Sequence, residues 1–246
     1  MSNLIGNKPS QVPTNSDLGT LAFLDKEGLD YGLFNTTNTY SVVQNFTSIK
    51  LGDNLVLPNT SGNGIKLNNT TPAFGWKDLT SSITVRGSGV NAPSWAAWLG
   101  NMYAYSFSAS TMQECWLEFH LDHDYAPDTA IHFHTHWLTT GTNTGTCRWG
   151  FEYTHAKGHN QANFPATTTI YAEQAYQGTA YRHMITETTA VTITGLEPDS
   201  LILVRIFRDA AHVNDTLTDV AFLLTSDIHY QSTGIATKNK TPNFYT

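Results

Sequence analysis

Short runs in which apolar and polar residues alternate, separated by turn residues, fill most of this chain. Leu117, Phe119 and Leu121 alternate with mostly polar neighbours, and the run 131–138 repeats the same period. Successive side chains of a strand point to opposite faces, so this period predicts strands with one buried face. From residue 76 onward we predict about nine strands: Ile83–Arg86, Tyr103–Phe107, Trp116–Asp122, Ile131–Leu138, Arg148–Thr154, Thr167–Ala172, His183–Ile193, Leu201–Arg208 and Val220–Tyr230.

This density of short strands predicts an all-β fold: a β-sandwich of the jelly-roll or immunoglobulin-like type over residues 76–246. The segment 192–208 is similar to the corner before the penultimate strand of fibronectin type III domains, which favours a sandwich as well. The sequence offers no long amphipathic helix, and Ser94–Asn101 is expected to make one or two helical turns at most.

Two further segments precede the predicted sandwich. Residues 1–30 are polar and contain Pro9 and Pro13, which indicates an extended N-terminal arm that becomes ordered against another protein. Residues 31–75 contain short alternating runs, which predict a short β region too thin for its own core. The apolar residues expected to dock the arm are Ile5, Val12, Leu18, Leu21, Phe23 and Leu24.

Composition narrows the range of partners. The net charge of −7 opposes contact with a phosphate backbone, so we expect no nucleic-acid partner. No apolar run reaches the roughly 20 residues of a membrane span, and the first residues lack a signal-peptide pattern. We therefore expect no membrane insertion, and synthesis in a cytoplasm without a signal peptide. Cys115 and Cys147 lack zinc-ligand or CxxC spacing and are expected to be free thiols.

The strongest chemical signal is the run of His132, His134 and His136. A period of two places these imidazoles on one face of one strand, about 7 Å apart. The preceding strand carries Glu118–Asp122, and a hairpin between the two strands would bring its carboxylates opposite the histidines. The alternatives are a polar sheet face without an ion, a structural metal ion shared on the axis of a trimer, and a catalytic site within one chain.

The motifs of common enzymes are absent from the sequence. It contains no Gly-x-Ser-x-Gly, P-loop or Gly-x-Gly-x-x-Gly, and no spacing singles out a carboxylate pair for glycoside hydrolysis. Cupins, which also place HxH on a strand, carry a Glu shortly after the second histidine, whereas residues 137–141 here contain none. We expect no enzymatic activity and no organic cofactor.

Aromatic residues make up 12% of the chain. They form either a platform for sugar binding or the sandwich core and subunit interfaces. The residues concerned are Trp95, Trp98, Tyr103, Tyr105, Trp137 and Trp149.

Two parts of the sequence resemble virion proteins of tailed bacteriophages. Ile5–Asn15, Asp17–Thr20 and Ala22–Asp25 resemble an N-terminal segment that recurs in structural and tail-fibre-like proteins. The second resemblance, to a family of phage and prophage virion proteins, is carried by Gly75–Leu79, His123–Pro127, His134–Trp137, Ala156–Gln161 and residues 229–240. It implies a place in the virion as a fibre, spike or surface-decorating subunit, in trimeric form and without enzymatic activity.

The resemblance implies a phage structural protein, made in the bacterial host. The first hypothesis is a homotrimeric short tail fibre or spike that attaches to a host glycan or protein, with its arm docked on other virion proteins. The second is a capsid decoration or head-fibre protein that stabilises the shell, and the third is a tailspike that depolymerises glycan. The first requires exposed aromatic rings around a groove, the second a flat footprint, and the third a cleft with paired carboxylates.

Overall fold

The computed structural model describes residues 48–51, 55–58, 66–67, 74–85 and 89–245. The predicted arm, residues 1–30, and its docking residues lie outside the described residues, as does most of the predicted β region. In the described part of the chain, no helix has the length and apolar character needed to cross a membrane.

The described chain is all-β, and its antiparallel strands form a β-sandwich, as predicted. The strands are β1 Ser48–Leu51, β2 Leu55–Pro58, β3 Lys66–Leu67, β4 Gly75–Thr80, β5 Ser94–Leu99, β6 Met102–Phe107, β7 Gln113–His120, β8 His132–Leu138, β9 Gly145–Ala156, β10 Thr168–Tyr176, β11 Met184–Glu187, β12 Leu201–Arg208 and β13 Ala221–Ser232. One sheet has the order β10-β9-β12-β7, and the other has the order β11-β8-β13-β6-β5 with β4 also paired to β13. The first three strands form a separate small sheet.

The core lies between the two larger sheets, on the faces that the alternation predicts. Phe133 of β8 stacks on Phe151 of β9 with ring centroids 5.5 Å apart. Phe107 meets Trp149 edge to face at 5.1 Å. These contacts join opposite sheets, and such ring pairs stabilise a core beyond the area that they bury. The predicted inward residues are all buried: Leu117, Phe119, Leu121, Ile131, Phe133 and Trp137.

The expected helical turns at Ser94–Asn101 are wrong, because this segment contains strand β5. It forms a hairpin with β6 through a turn at Gly100, whose φ of +54° suits glycine. Large aromatic side chains fit a pleated surface, and the neighbouring β6 offers a partner for the backbone. Strand β4, Gly75–Thr80, was not predicted from the sequence. The predicted strand Ile83–Arg86 contributes only an isolated bridge from Thr84 to Trp116, and β11 covers only four residues of His183–Ile193.

The expected hairpin between the strands at 116–122 and 131–138 is also wrong. Strand β7 pairs with β12 in one sheet, whereas β8 pairs with β11 and β13 in the other. The connection crosses from one sheet to the other, with Leu121 bonded through its backbone to Ser200. The carboxylates of Glu118–Asp122 are therefore not opposite the histidines of β8.

Candidate functional site

A groove opens in the six-stranded sheet where β6 diverges from β13. Strand β13 pairs with β6 only over Ala221–Leu223. A bulge before Thr225 then redirects β13, which pairs with β4 from Asp227 onward. The groove lies between β6 and the loop that follows β4, and its volume is about 500 Å³.

Aromatic side chains of the β5–β6 hairpin line this groove. Trp95 is 61% exposed and Tyr103 is 50% exposed. Their ring planes are nearly parallel, 17° apart, with centroids separated by 6.2 Å. Tyr105 meets Trp95 edge to face at 4.8 Å, and Trp98 also lines the groove. Trp95, Tyr103 and Tyr105 share one face of the hairpin because Trp95 pairs with Tyr105 and Ala97 pairs with Tyr103.

The structure thus separates the aromatic residues considered from the sequence into two groups. Trp137 and Trp149 are completely buried between the sheets. The other four surround the groove, together with the hydroxyl groups of Ser81 and Thr225 and several apolar side chains. None of the described residues that line the groove carries a charge. We call these four aromatic residues, Trp95, Trp98, Tyr103 and Tyr105, the aromatic groove.

A second polar feature lies on the outer face of the six-stranded sheet. His134 and His136 point away from the core because Phe133, Thr135 and Trp137 occupy the inner positions of β8. Asp227 of β13 pairs directly with His134 in the sheet register. Its Oδ1 lies 3.2 Å from His134 Nδ1 and 3.6 Å from His136 Nε2. The ligand atoms of all three residues lie within 4.8 Å of one another.

The surroundings of these two histidines affect their pKa values in opposite directions. Burial opposes a charge on His134, but the hydrogen bond and the charge of Asp227 outweigh it and raise the pKa of His134. Burial lowers the pKa of His136, and the nearby His134 lowers it further. His136 is held in place by a contact of 2.7 Å between its Nδ1 and His183 Nε2.

His132 takes no part in this group. Its Nδ1 lies 2.9 Å from the backbone oxygen of Thr188, and its ring meets Trp76 edge to face at 5.4 Å. Among the described residues, every group of potential metal ligands in this region includes His134 or Asp227 and none includes His132. The binding of an ion stays a prediction.

Asp227 and His229 are functional candidates that the sequence reasoning missed. They lie two residues apart on β13, the same spacing as the histidines of β8. This spacing places both side chains on one face of the strand and could have identified them from the sequence. His229 contacts Glu187 Oε2 through Nδ1 at 2.6 Å and Asp78 Oδ1 through Nε2 at 2.7 Å. Both nitrogens of His229 are therefore already engaged by carboxylates.

A second histidine group surrounds Asp199, in the turn before β12. His120 Nε2 and His123 Nε2 lie 3.3 Å and 3.2 Å from Asp199 Oδ1, and His159 Nε2 lies 2.7 Å from Oδ2. Burial disfavours the charged carboxylate, but the hydrogen bond from His159 and the nearby His123 and His120 outweigh it and lower the pKa of Asp199. This arrangement ties the end of β7, the connection after β7 and the connection after β9 to one carboxylate.

Comparison with known proteins gives no family. No family model matches the chain, and no curated protein matches it. Among solved structures, TmCBM61 in complex with β-1,4-galactotriose is similar over 64% of this chain and 88% of its own, with 12% identity and a TM-score of 0.27. A Clostridium thermocellum xylanase 10B structure, comprising CBM22-1 and GH10 modules with xylohexaose, is similar over 67% of this chain and 28% of its own, with 12% identity and a TM-score of 0.30.

A third solved structure, a carbohydrate-binding module specific for non-crystalline cellulose, CBM28, is similar over 61% of this chain and 84% of its own. Its identity is 13% and its TM-score is 0.27. At these values the three likenesses carry no argument about what this chain binds.

Proposed function

We propose that this chain is a non-catalytic attachment protein of a tailed-phage particle, and that it binds a neutral glycan at the aromatic groove. The observation that carries the proposal is the exposure of Trp95 and Tyr103 beside a groove of about 500 Å³. The resemblance to virion proteins supports the place in a particle.

We expect the exposed rings to bind a ligand that has an apolar face. Large aromatic side chains left in water beside a concave surface are typical of binding sites. A pyranose presents a flat face of C–H groups that packs on such rings, while its hydroxyl groups stay hydrogen-bonded at the edges. Ser81 and Thr225, which also carry hydroxyl groups, are among the residues that line the same groove.

The lack of charge in the groove favours binding over hydrolysis. Glycosidases need two carboxylates about 5–9 Å apart beside the scissile bond. The described residues that line the groove include no Asp or Glu, and they include no Lys or Arg to pair with an acidic sugar. A neutral glycan is therefore the ligand that fits this lining.

The experiment is a binding screen of the full chain against neutral and acidic polysaccharides, by affinity electrophoresis and tryptophan fluorescence. We expect a neutral polysaccharide to bind, and Trp95→Ala or Tyr103→Ala to weaken binding about 5–30-fold, because each removes a stacking surface worth about 1–2 kcal/mol. The matched control is Phe164→Ala, which removes an aromatic ring of 46% exposure away from the groove.

Two results would overturn the glycan proposal: no binding to any neutral polysaccharide, or equal weakening by the control variant. If sedimentation shows instead that Trp95→Ala dissociates an oligomer, the aromatic groove is a subunit interface.

The proposal of a homotrimer predicts a sedimenting mass three times that of the chain, and trimerisation would multiply weak glycan contacts. Attachment also predicts that the purified chain competes with intact particles for adsorption.

A further inference from the structure

We infer that His134, His136 and Asp227 bind one divalent transition-metal ion within a single chain. The three residues come from adjacent strands in the middle of the six-stranded sheet, two from β8 and one from β13. Two imidazoles and one carboxylate form a donor set that suits Zn²⁺, Fe²⁺ or Ni²⁺ better than Ca²⁺ or Mg²⁺.

The first support is an imbalance of buried polar atoms. His134 is 3% exposed and Asp227 is 2% exposed. Yet His134 Nε2 and Asp227 Oδ1 have no hydrogen-bond partner. A buried polar atom without a partner costs about 1–3 kcal/mol, and more when its group is charged. An ion coordinated by Asp227 Oδ1 would give this buried oxygen the partner that it lacks.

The second support is the spacing of the donor atoms. Atoms that each bind one ion at about 2.1 Å lie about 3.0–3.4 Å from one another in octahedral or tetrahedral geometry. Asp227 Oδ1 lies 3.2 Å from His134 Nδ1 and 3.6 Å from His136 Nε2. The first distance lies within this range, and the second exceeds it by about 0.2 Å.

The third support is the way His136 is oriented. Its Nδ1 faces His183 Nε2 at 2.7 Å, which leaves Nε2 directed toward Asp227. Metal-bound histidines commonly use one ring nitrogen for the ion and the other for a hydrogen bond that fixes the ring. His183 is accordingly a positioning residue and not a ligand.

A competing group on the same face is less suited to an ion. His134, Glu187 and His229 also lie close together. However, His229 Nδ1 and Glu187 Oε2 already contact each other at 2.6 Å, and His229 Nε2 contacts Asp78 at 2.7 Å. Coordination there would break these two short contacts, whereas coordination by Asp227 Oδ1 and His134 Nδ1 gives up only the 3.4 Å hydrogen bond between His134 Nδ1 and Asp227 Oδ2.

The test uses the full chain, stripped with a chelator and titrated with Zn²⁺ by calorimetry, with Co²⁺ absorption as a second readout. We expect one ion per chain, bound more tightly than about 10 μM, and a higher melting temperature in its presence. Asp227→Asn and His136→Gln should each weaken binding at least a hundredfold. His183→Gln should weaken it about 10–100-fold.

The matched control is His159→Gln, which alters the other histidine group, around Asp199, and should leave zinc affinity unchanged. His136→Gln keeps the test decisive even if Asp227→Asn fails to fold, because the His136 side chain is partly exposed. The inference is wrong if the stripped chain binds no ion with a dissociation constant below about 10 μM, or if His136→Gln binds zinc as tightly as the original chain. A ratio of one ion to three chains would also overturn it in favour of a site shared on a trimer axis.

Discussion

Arg208 and Asp215 form a bidentate ion pair, and both side chains are completely buried. Arg208 Nε lies 3.0 Å from Asp215 Oδ2, and Nη2 lies 2.8 Å from Oδ1. Arg208 also donates to the backbone oxygen of Asp219 at 2.8 Å, and Asp215 accepts from the backbone nitrogen of Arg148 at 3.0 Å. The pair therefore ties the connection between β12 and β13 to the edge of the core.

We predict that Asp215→Ala lowers the free energy of unfolding by about 3–5 kcal/mol, because it leaves the Arg208 charge buried without a partner. The measurement is equilibrium unfolding in urea. The control is Asp122→Asn, which removes the exposed pair with Lys77 and should cost less than about 1 kcal/mol. Similar losses for the two variants would contradict the prediction. The double replacement Arg208→Met with Asp215→Leu should recover much of the lost stability, since it removes both buried charges.

Asp199 is predicted to make stability depend on pH. Its pKa is lowered from the ordinary 3.8, so the folded state binds this proton less readily than the unfolded chain. The ionised carboxylate therefore stabilises the fold fully above the ordinary value, and this contribution is lost as the pH falls through the lowered folded value. Asp199→Asn should cost about 1–2 kcal/mol at pH 6 and less at pH 3, as measured by urea unfolding.

Asparagine is the right replacement at this position because Asp199 has a φ of +60°, which asparagine tolerates. Asp128→Asn is a matched control, since Asp128 is exposed and has a φ of 61°. A cost for Asp199→Asn that is the same at both pH values, or that matches the control, would show that the histidines around Asp199 do not favour its ionised form.

The two thiols are predicted to be inert in the folded protein. Cys115 and Cys147 are free and buried. Burial raises the pKa of Cys147 to about 12, and it also raises the pKa of Cys115. At pH 8 a pKa near 12 in place of 9.0 lowers the thiolate fraction about a thousandfold. Ellman's reagent should therefore label neither thiol in the native chain and both in guanidinium, and labelling of the native chain within minutes would refute this.

Alternation along the sequence was sufficient to predict the strands that have one buried and one exposed face. The inward residues of β7 and β8 were read directly from their period. The run Leu201–Arg208, which has the bounds of β12, is almost continuously apolar, and its β-branched residues and the preceding turn at 197–199 predicted a strand there. Strand β5 was missed because Trp95, Ala96, Ala97 and Trp98 carry no period of two, and its state depends on pairing with β6.

The candidate sites needed information that no local pattern contains. His134 and His136 stand out in the sequence, but Asp227 comes to His134 from 93 positions away. The sequence equally allowed β7 as the neighbour of β8, and the order of the sheet placed β13 there instead. The aromatic groove has the same origin, since it forms where β13 leaves β6 to pair with β4.

The sequence by itself determined the class of fold, the faces of the alternating strands and the free state of the cysteines. The first two follow from the geometry of an extended chain, in which side chains alternate, and from the burial of apolar surface. The third follows from the number and spacing of the cysteines. The tertiary structure decided which strands became neighbours, and so which polar side chains were buried together and which aromatic rings stayed in water. Strand pairing depends on how two sheets jointly bury one core, and that is a property of the whole chain.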